Sequence, residues 1–241
     1  MNLKHNMGHI KVFIISWSGW HDNAVKIASE ISKYCNQITV IYSDNNSATT
    51  LSGISFKSIQ RPDYLYFSDK FSTCINNCSD TSALFIHADC ECNDWSFLFN
   101  KYCNALTNVP KMGVWTPQII GTPYNLSVSG IAKVNNSMLH IGTLIDGIVF
   151  GLSPSIIERM RRVDYSENKF GWGISALICA HAYTTNQLVI IDESVIVKHH
   201  LGTGYDRLIA NQERRKFITQ FSNDERIMTE LIYAWIKLKS L

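Results

Sequence analysis

The stretch KVFIISWSGWHDNAVKIASEISKYCNQITVIYSDNN, residues 11–46, carries the pattern from which the fold is read. Lys11–Ile15 is a short β-rich run, followed by the loop Ser16-Trp17-Ser18-Gly19-Trp20. From His21 to Cys35, apolar residues at Ala24, Val25, Ala28 and Ile31 recur with a helical period. Ile38–Tyr42 is a second strand, ended by the turn-rich cluster Ser43-Asp44-Asn45-Asn46. A β-loop-α-β order with an acid at the second strand's tip is the mark of a parallel α/β sheet. Such sheets bind ligands outside the carboxyl ends of their strands, where these loops fall. The first loop has one glycine instead of a GxGxxG series, and GKS or GKT occurs nowhere, so dinucleotide and P-loop folds are disfavoured.

Outward from this unit, a loop-rich stretch runs to about residue 67, then a helix is expected from Asp69 to Cys78. Ala83–Ile86 reads as a buried strand, Asp94–Asn104 as a helix and Gly113–Trp115 as a short strand. Residues 117–145 mix turn signals with alternation and suit an irregular or antiparallel second half. Ile148–Leu152 is a further strand, and Pro154 opens a helix ending at Arg159–Arg162. Gly171-Trp172-Gly173 leads into an apolar helix to about Tyr183. Two strands, Leu188–Ile191 and Val195–Lys198, follow, and 207–241 reads as two helices separated by the cap Ser222-Asn223-Asp224.

The 241 residues suffice for one large domain with its own core. With 22 Lys+Arg against 20 Asp+Glu the net charge is +2, which lacks the basic excess of a general nucleic-acid coat protein. No apolar run approaches the ~20 residues that span a bilayer. The apolar N-terminal stretch has no small-residue cleavage site behind it and reads as a first strand, so a cytoplasmic protein is expected. The seven cysteines are not spaced as zinc knuckles and read as reduced, half-buried thiols.

Three constellations carry chemistry. A strand ending in His87-x-Asp89 puts both side chains on one face, because residues i and i+2 point the same way. Such a pair can hold a divalent ion, and a polar strand end also serves simply as a turn former. Phe170-Gly171-Trp172-Gly173-Ile174-Ser175 lets the backbone turn sharply with an indole toward a cleft, where sugars stack; the same pattern serves as a helix cap with Trp172 in the core. Val197-Lys198-His199-His200 leaves a strand and enters a Gly-x-Gly loop, offering an imidazole ligand.

In their order these pieces resemble the GT-A glycosyltransferases, nucleotide-sugar enzymes with one Rossmann-like α/β domain, over roughly residues 10–206. The resemblance is nearest to the family-two-like enzymes that build bacterial polysaccharides. It rests on His87-Ala88-Asp89 in the place of Asp-x-Asp, on Asp146-Gly147-Ile148-Val149-Phe150-Gly151 and on Phe170–Ser175. Val197-Lys198-His199 completes the set. It implies a GT-A domain over 1–206, with a nucleotide-binding half of about 1–110, an acceptor half of about 111–206, and a helical extension over 207–241, around a mixed, mainly parallel sheet.

The resemblance further implies a nucleotide-sugar donor and Mn2+ or Mg2+ at Asp89, with His87 and His199 as companions and His200 as a substitute for His199. Ser16 and Trp17 would border the nucleotide, Asp44 would accept from base or ribose, and Lys70 would meet the nucleotide as a cation. Asp94, Trp95, Trp115, Gly171, Trp172 and Gly173 would line the sugar or acceptor pocket. The family commonly places an acid just after Gly-Trp-Gly as catalytic base. This chain has Ser175, whose hydroxyl is no general base near neutral pH, so Asp146 is the candidate for that role.

The acceptor implied is a saccharide or lipid-linked saccharide in surface polysaccharide synthesis. The stripe Ile227, Met228, Leu231, Ile232, Trp235 and Leu238 beside Lys237 and Lys239 allows peripheral membrane contact, and also packing on the domain itself. A second acceptor class is a modified base in DNA, its phosphates met by Arg159, Arg161, Arg162, Arg214, Arg215 and Lys216. A third reading, motivated by Ser175, is a non-catalytic nucleotide- or carbohydrate-binding relative.

Overall fold

The computed structural model describes residues 10–43, 56–199 and 204–241. Strand β1 (Lys11–Ser16) is followed by helix α1 (His21–Ile31) and β2 (Ile38–Ser43). β3 (Lys57–Arg61) leads through a 3-10 turn (Asp63–Leu65) into α2 (Tyr66–Asn77), β4 (Ala83–His87) and β5 (Cys90–Cys92). Next come α3 (Trp95–Asn108), β6 (Met112–Ile120), the short α4 (Leu126–Ser129), β7 (Gly130–Lys133), β8 (Leu139–Gly142) and β9 (Val149–Leu152). The chain ends with α5 (Pro154–Arg161), α6 (Ile174–Thr184), β10 (Leu188–His199), α7 (Arg207–Ile218) and α8 (Asn223–Lys239).

The ten strands among the described residues join one sheet, ordered β3-β2-β1-β4-β9-β6-β10-β8-β7, with β5 paired to β10. β3, β2, β1 and β4 run parallel, as do β6 and β10, while β9 is antiparallel to both β4 and β6. Two reversals across β9 make β4 parallel to β6, so six strands point their carboxyl ends to one edge. β1 shows why both faces are covered: Val12 and Ile14 enter one core with α1 and α3. Phe13 and Ile15 enter the other, with α2, α5 and α6. Phe217 and Phe221 of the C-terminal segment and Ile232 of α8 are buried in that second core, so α7 and α8 pack on the domain.

Several elements differ from the sequence reading. The stretch expected as loop contains β3, whose sequence Lys-Ser-Ile-Gln-Arg has one apolar residue; an edge strand pairs on one side only and needs little burial. α1 stops at Ile31, short of Cys35, because the chain turns at Ser32–Tyr34 to enter β2. β6 runs well past Trp115, through Pro117. The two strands expected at 188–198 are one, β10, with its register shifted between Asp192 and Ile196. There Asp192 Oδ1 accepts from the Ser194 amide (3.0 Å) and hydroxyl (2.5 Å), and Pro117 lies opposite without an N–H to donate.

Candidate functional site

The carboxyl edge of the parallel strands opens onto a cleft of about 850 Å³. Its wall carries Trp17 after β1, Asp63 after β3, His87 and Asp89 at β4, Gly121 and Thr122 after β6, and His199 at β10. Antiparallel β9 starts at the same edge, so the preceding Asp146-Gly147-Ile148 also faces the cleft. The remaining wall comes from helices: Gly171–Gly173 and Ser175 at the start of α6, Tyr205, Arg207 and Arg214 around α7, and Tyr233 of α8.

Main-chain anchors fix the Asp89 turn. The Ala88 amide donates to Ile15 O (2.8 Å), and the Asn23 side-chain amide of α1 donates to Ala88 O (2.5 Å) and Cys90 O (3.1 Å). β5 pairs antiparallel with β10, Cys90 opposite His199, so a contact spanning 110 residues is set by strand register. His199 Nε2 lies 3.4 Å from Asp89 Oδ2, and His87 Nδ1 lies 3.9 Å from Asp89 Oδ1. Burial pushes the His87 imidazolium down to about 4, so His87 is neutral near pH 7. Burial would raise the Asp89 carboxyl, but the His199 hydrogen bond and the His87 charge bring it below the usual carboxylate range. The same bond to Asp89 raises His199.

Asp89 Oδ1 and His87 Nε2 are buried without a hydrogen-bond partner. An ionised carboxylate oxygen and a neutral imidazole are donors that suit Mn2+ or Mg2+, ions that take one or two protein ligands and fill the rest with phosphate and water. The fit is that of an open site: among the described residues no three His, Cys, Asp or Glu groups surround one point.

Asp146 behaves oppositely. Burial raises its carboxyl above the ordinary value, against a hydrogen bond from Thr122 and the charge of His199. Gly147, next in sequence, has φ +77°, and a Cβ there would lie 2.6 Å from Ser175 Oγ, so only glycine lets these two segments touch. Gly171 (φ +80°) and Gly173 (φ +97°) bracket Trp172, whose Nε1 donates to the Tyr205 hydroxyl (2.9 Å). Tyr205 stacks on Phe170 with centroids 4.3 Å apart, and Tyr66 meets Phe170 edge-on at 4.9 Å. This aromatic group forms one wall of the cleft.

Other sequence candidates lie elsewhere. Ser16 is buried behind the cleft, hydrogen-bonded to His21 Nδ1 (2.8 Å). Lys70 is fully buried, its Nζ 4.3 Å above the cleft-lining Trp17 ring, and burial lowers it to about 8. Asp94, Trp95 and Trp115, expected in the pocket wall, do not line the cleft. Asp94 caps α3 by accepting from the Phe97 amide (2.8 Å), Trp95 is buried in the first turn, and Trp115 is sealed in the core against Tyr102. Large rings gain most by burial, and an Asp before a helix is best used as a cap. Asp44 and His200 lie outside the described residues.

Three of the five arginines read as phosphate contacts are engaged internally: Arg159 with Glu225, Arg161 and Arg162 with Glu158. Lys216 pairs with Glu167. The α8 stripe divides, Met228 and Ile232 packing inward and Ile227, Leu231 and Leu238 exposed. Among the described residues no helix is long and apolar enough to cross a membrane.

Sequence reading missed Asp63, Thr122, Tyr124 and Tyr233, and Asn23 beneath the Asp89 turn. Asp63 follows Pro62, a turn signal, and accepts from the Ser43 hydroxyl (2.6 Å); the others carried no local mark.

No family model matches the sequence, and no curated protein sequence matches it. Solved structures do. GalNAc-T7 with UDP, GalNAc and Mn2+ superposes with a TM-score of 0.68 at 11% identity, over 92% of this chain and 49% of that one. The mannosyltransferase PcManGT from Pyrobaculum calidifontis, in complex with GDP-Man and Mn2+, gives 0.62 at 10% identity, over 97% and 71%. A UDP-glucose pyrophosphorylase complexed with UDP-glucose gives 0.54 at 11% identity, over 88% and 100%. The chain has a Rossmann-like GT-A fold. It spans about half the length of the GalNAc-T7 chain.

Proposed function

We propose that the protein transfers a glycosyl group from a nucleotide-sugar donor to the hydroxyl of a saccharide or lipid-linked saccharide acceptor. The observation that carries this reading is that two carboxylates, Asp89 beside His87 and His199 and Asp146 before β9, face one cleft; burial and their neighbours press Asp89 toward the ionised form and Asp146 toward the protonated one. Both sit at the carboxyl edge of a parallel sheet, where such folds bind ligands.

Asp89, with His87, is the proposed holder of Mn2+ or Mg2+, which when bound would supply positive charge to the diphosphate leaving group, while His199, expected as a third ligand, sits on the other Asp89 oxygen and fixes the carboxylate. Trp17, with Lys70 beneath it, and Asp63 border the nucleotide. Asp146 accepts the proton of the acceptor hydroxyl as its oxygen bonds to the anomeric carbon. The bond from that carbon to the diphosphate oxygen breaks, and its electron pair leaves with the nucleoside diphosphate. Trp172 and Tyr205 offer flat faces to the acceptor ring. Ser175 supplies no base; its hydroxyl stands close against Gly147, beside Asp146.

The GT-A-like fold is also that of a nucleotidyltransferase, and the first loop argues against that chemistry. Trp17-Ser18-Gly19-Trp20 has one glycine and two indoles, whereas backbone cradles for triphosphates are glycine-rich.

The test is calorimetry of UDP-, GDP-, CDP- and dTDP-hexoses with and without Mn2+, followed by product analysis. Metal-dependent donor uptake and release of nucleoside diphosphate are expected. Formation of nucleoside triphosphate from added pyrophosphate would replace this reading with nucleotidyl transfer, and no uptake of any donor would end it.

A further inference from the structure

Arg214 of α7 lies in the cleft wall and makes no hydrogen bond or ion pair among the described residues; its Nε is buried and without a partner. Most of the protein's partly buried guanidinium groups are differently placed. Arg61 pairs with Asp69 at 2.6 Å, Arg159 with Glu225 at 2.8 Å and Arg161 with Glu158 at 2.9 Å. Removing a guanidinium nitrogen from water without a partner costs free energy that a bound anion would return.

The stem of Arg214 runs beside Gly173: a Cβ there would meet Arg214 Cγ at 3.4 Å, an ordinary contact, and the Phe217 ring at 3.1 Å. Arg207, seven residues earlier on α7, lines the same cleft, and a seven-residue step keeps both on one helix face.

Arg214 stands on the side of the cleft built from helices, its Cγ beside Gly173 of the turn that carries Trp172, whereas Asp89 and His199 stand at strand tips. Trp172 and Tyr205 are the rings proposed to face the acceptor, so an anion held by Arg214 belongs to the acceptor and a diphosphate gathered at Asp89 to the donor.

We propose that the acceptor is an acidic sugar whose carboxylate or phosphoryl group is held by Arg214 at the α6–α8 end of the cleft. This rests on the glycosyltransferase reading for the word acceptor, but the binding of the anion does not depend on it. A planar guanidinium can take two oxyanion oxygens at once, so it reads an acidic group with a direction as well as a charge. Tyr124 and Tyr233 line the same cleft.

The experiment titrates the full chain, without donor, with matched pairs of ligands. Methyl gluco-, galacto- and mannopyranosides are each compared with their methyl uronoside and with the 6-phosphate of the same sugar, by ligand-observed NMR at low ionic strength. At least one acidic member should bind about tenfold or more tightly than its neutral counterpart, a preference that fades with salt. Arg214→Gln should bring the pair within about twofold, and Arg214→Lys should retain an intermediate preference. Melting temperature and circular dichroism show that each variant is folded. A uronoside winner identifies a carboxylate acceptor, and a 6-phosphate winner a phosphorylated one. Equal binding of acidic and neutral members, no binding by any member, or an acid preference that survives in Arg214→Gln overturns the proposal. Failure of donor uptake in the calorimetric test, with the acid preference intact, would remove glycosyl transfer and leave the anion site standing.

Discussion

The two ends of the cleft are built by different means. At the strand-built end, Asp89, His87 and His199 stand on strand tips whose positions follow from sheet register and from main-chain anchors such as Asn23 to Ala88 O and Cys90 O. At the helix-built end, Trp172, Arg214 and Tyr233 depend on how α6, α7 and α8 pack, and side chains do the fastening. Glu225 accepts from Arg159 Nε (2.8 Å) and Nη2 (2.9 Å), from the Ser222 amide (2.8 Å), and lies 2.9 Å from His181 Nδ1. It thereby ties α5, α6 and α8 together. The difference teaches where function is rigid and where it is adjustable: register cannot shift without turning side chains to the other face, whereas helix packing tolerates substitution.

The largest expected effect breaks the strand-built end. Asp89→Asn should lower transfer by about a thousandfold or more and abolish the metal dependence of donor uptake, read by calorimetry. Asp146→Asn, between the two ends, should cost about a hundredfold in kcat with donor KM little changed. Because Asp146 is raised, the wild-type rate should climb as pH rises through a value above the ordinary ~3.9 of an Asp, and the variant should lose that limb. Equal losses in kcat and donor KM would make Asp146 a binding residue.

Glu225→Gln tests the helix-built end. Glu225 is 3% exposed, and removing its charge leaves Arg159 and His181 unmatched, at a cost of about 3 kcal/mol in denaturant unfolding. Its carboxyl is held well below the usual range by His181 and Arg159, against the opposing pull of burial. That stabilisation is present above the unfolded-state value of ~4.3 and is lost as pH falls toward the folded-state one. The gap between wild type and variant should therefore narrow on acidification.

The smallest effect is a gain. Lys70, displaced from 10.5 to about 8 by burial, is destabilising while charged, and Lys70→Met should raise stability by about 1–2 kcal/mol at pH 7. The advantage should shrink between pH 8 and ~10.4, where wild type gains stability because its unfolded state holds the extra proton. Donor affinity should fall in the same variant. A variant both more stable and undiminished in donor uptake would remove Lys70 from the nucleotide border.

Much of the strand-built end was readable in advance because its signals are local. The β-rich run Lys11–Ile15 and the apolar run ending at His87 both act within a few residues. β3 was not readable, since an edge strand with Ile59 as its one apolar residue owes its existence to the neighbouring β2. Trp95 and Trp115 misled for a related reason. An aromatic residue announces burial or a binding face equally well from sequence, and only the packing around it tells which.

From the sequence alone follow the α/β class, most element positions and the strand-end places of Asp89 and His199, because periodicity and turn chemistry are short-range; Asp146 came forward only through the resemblance to glycosyltransferases. Tertiary structure decided that β5 pairs with β10 and so brings His199 to Asp89, that one cleft carboxylate is lowered and the other raised, and that Arg214 enters the cleft unpaired. These depend on burial and on charges distant in sequence. Solvation and Coulomb forces act through space, and the chain's order does not record the distances on which they depend.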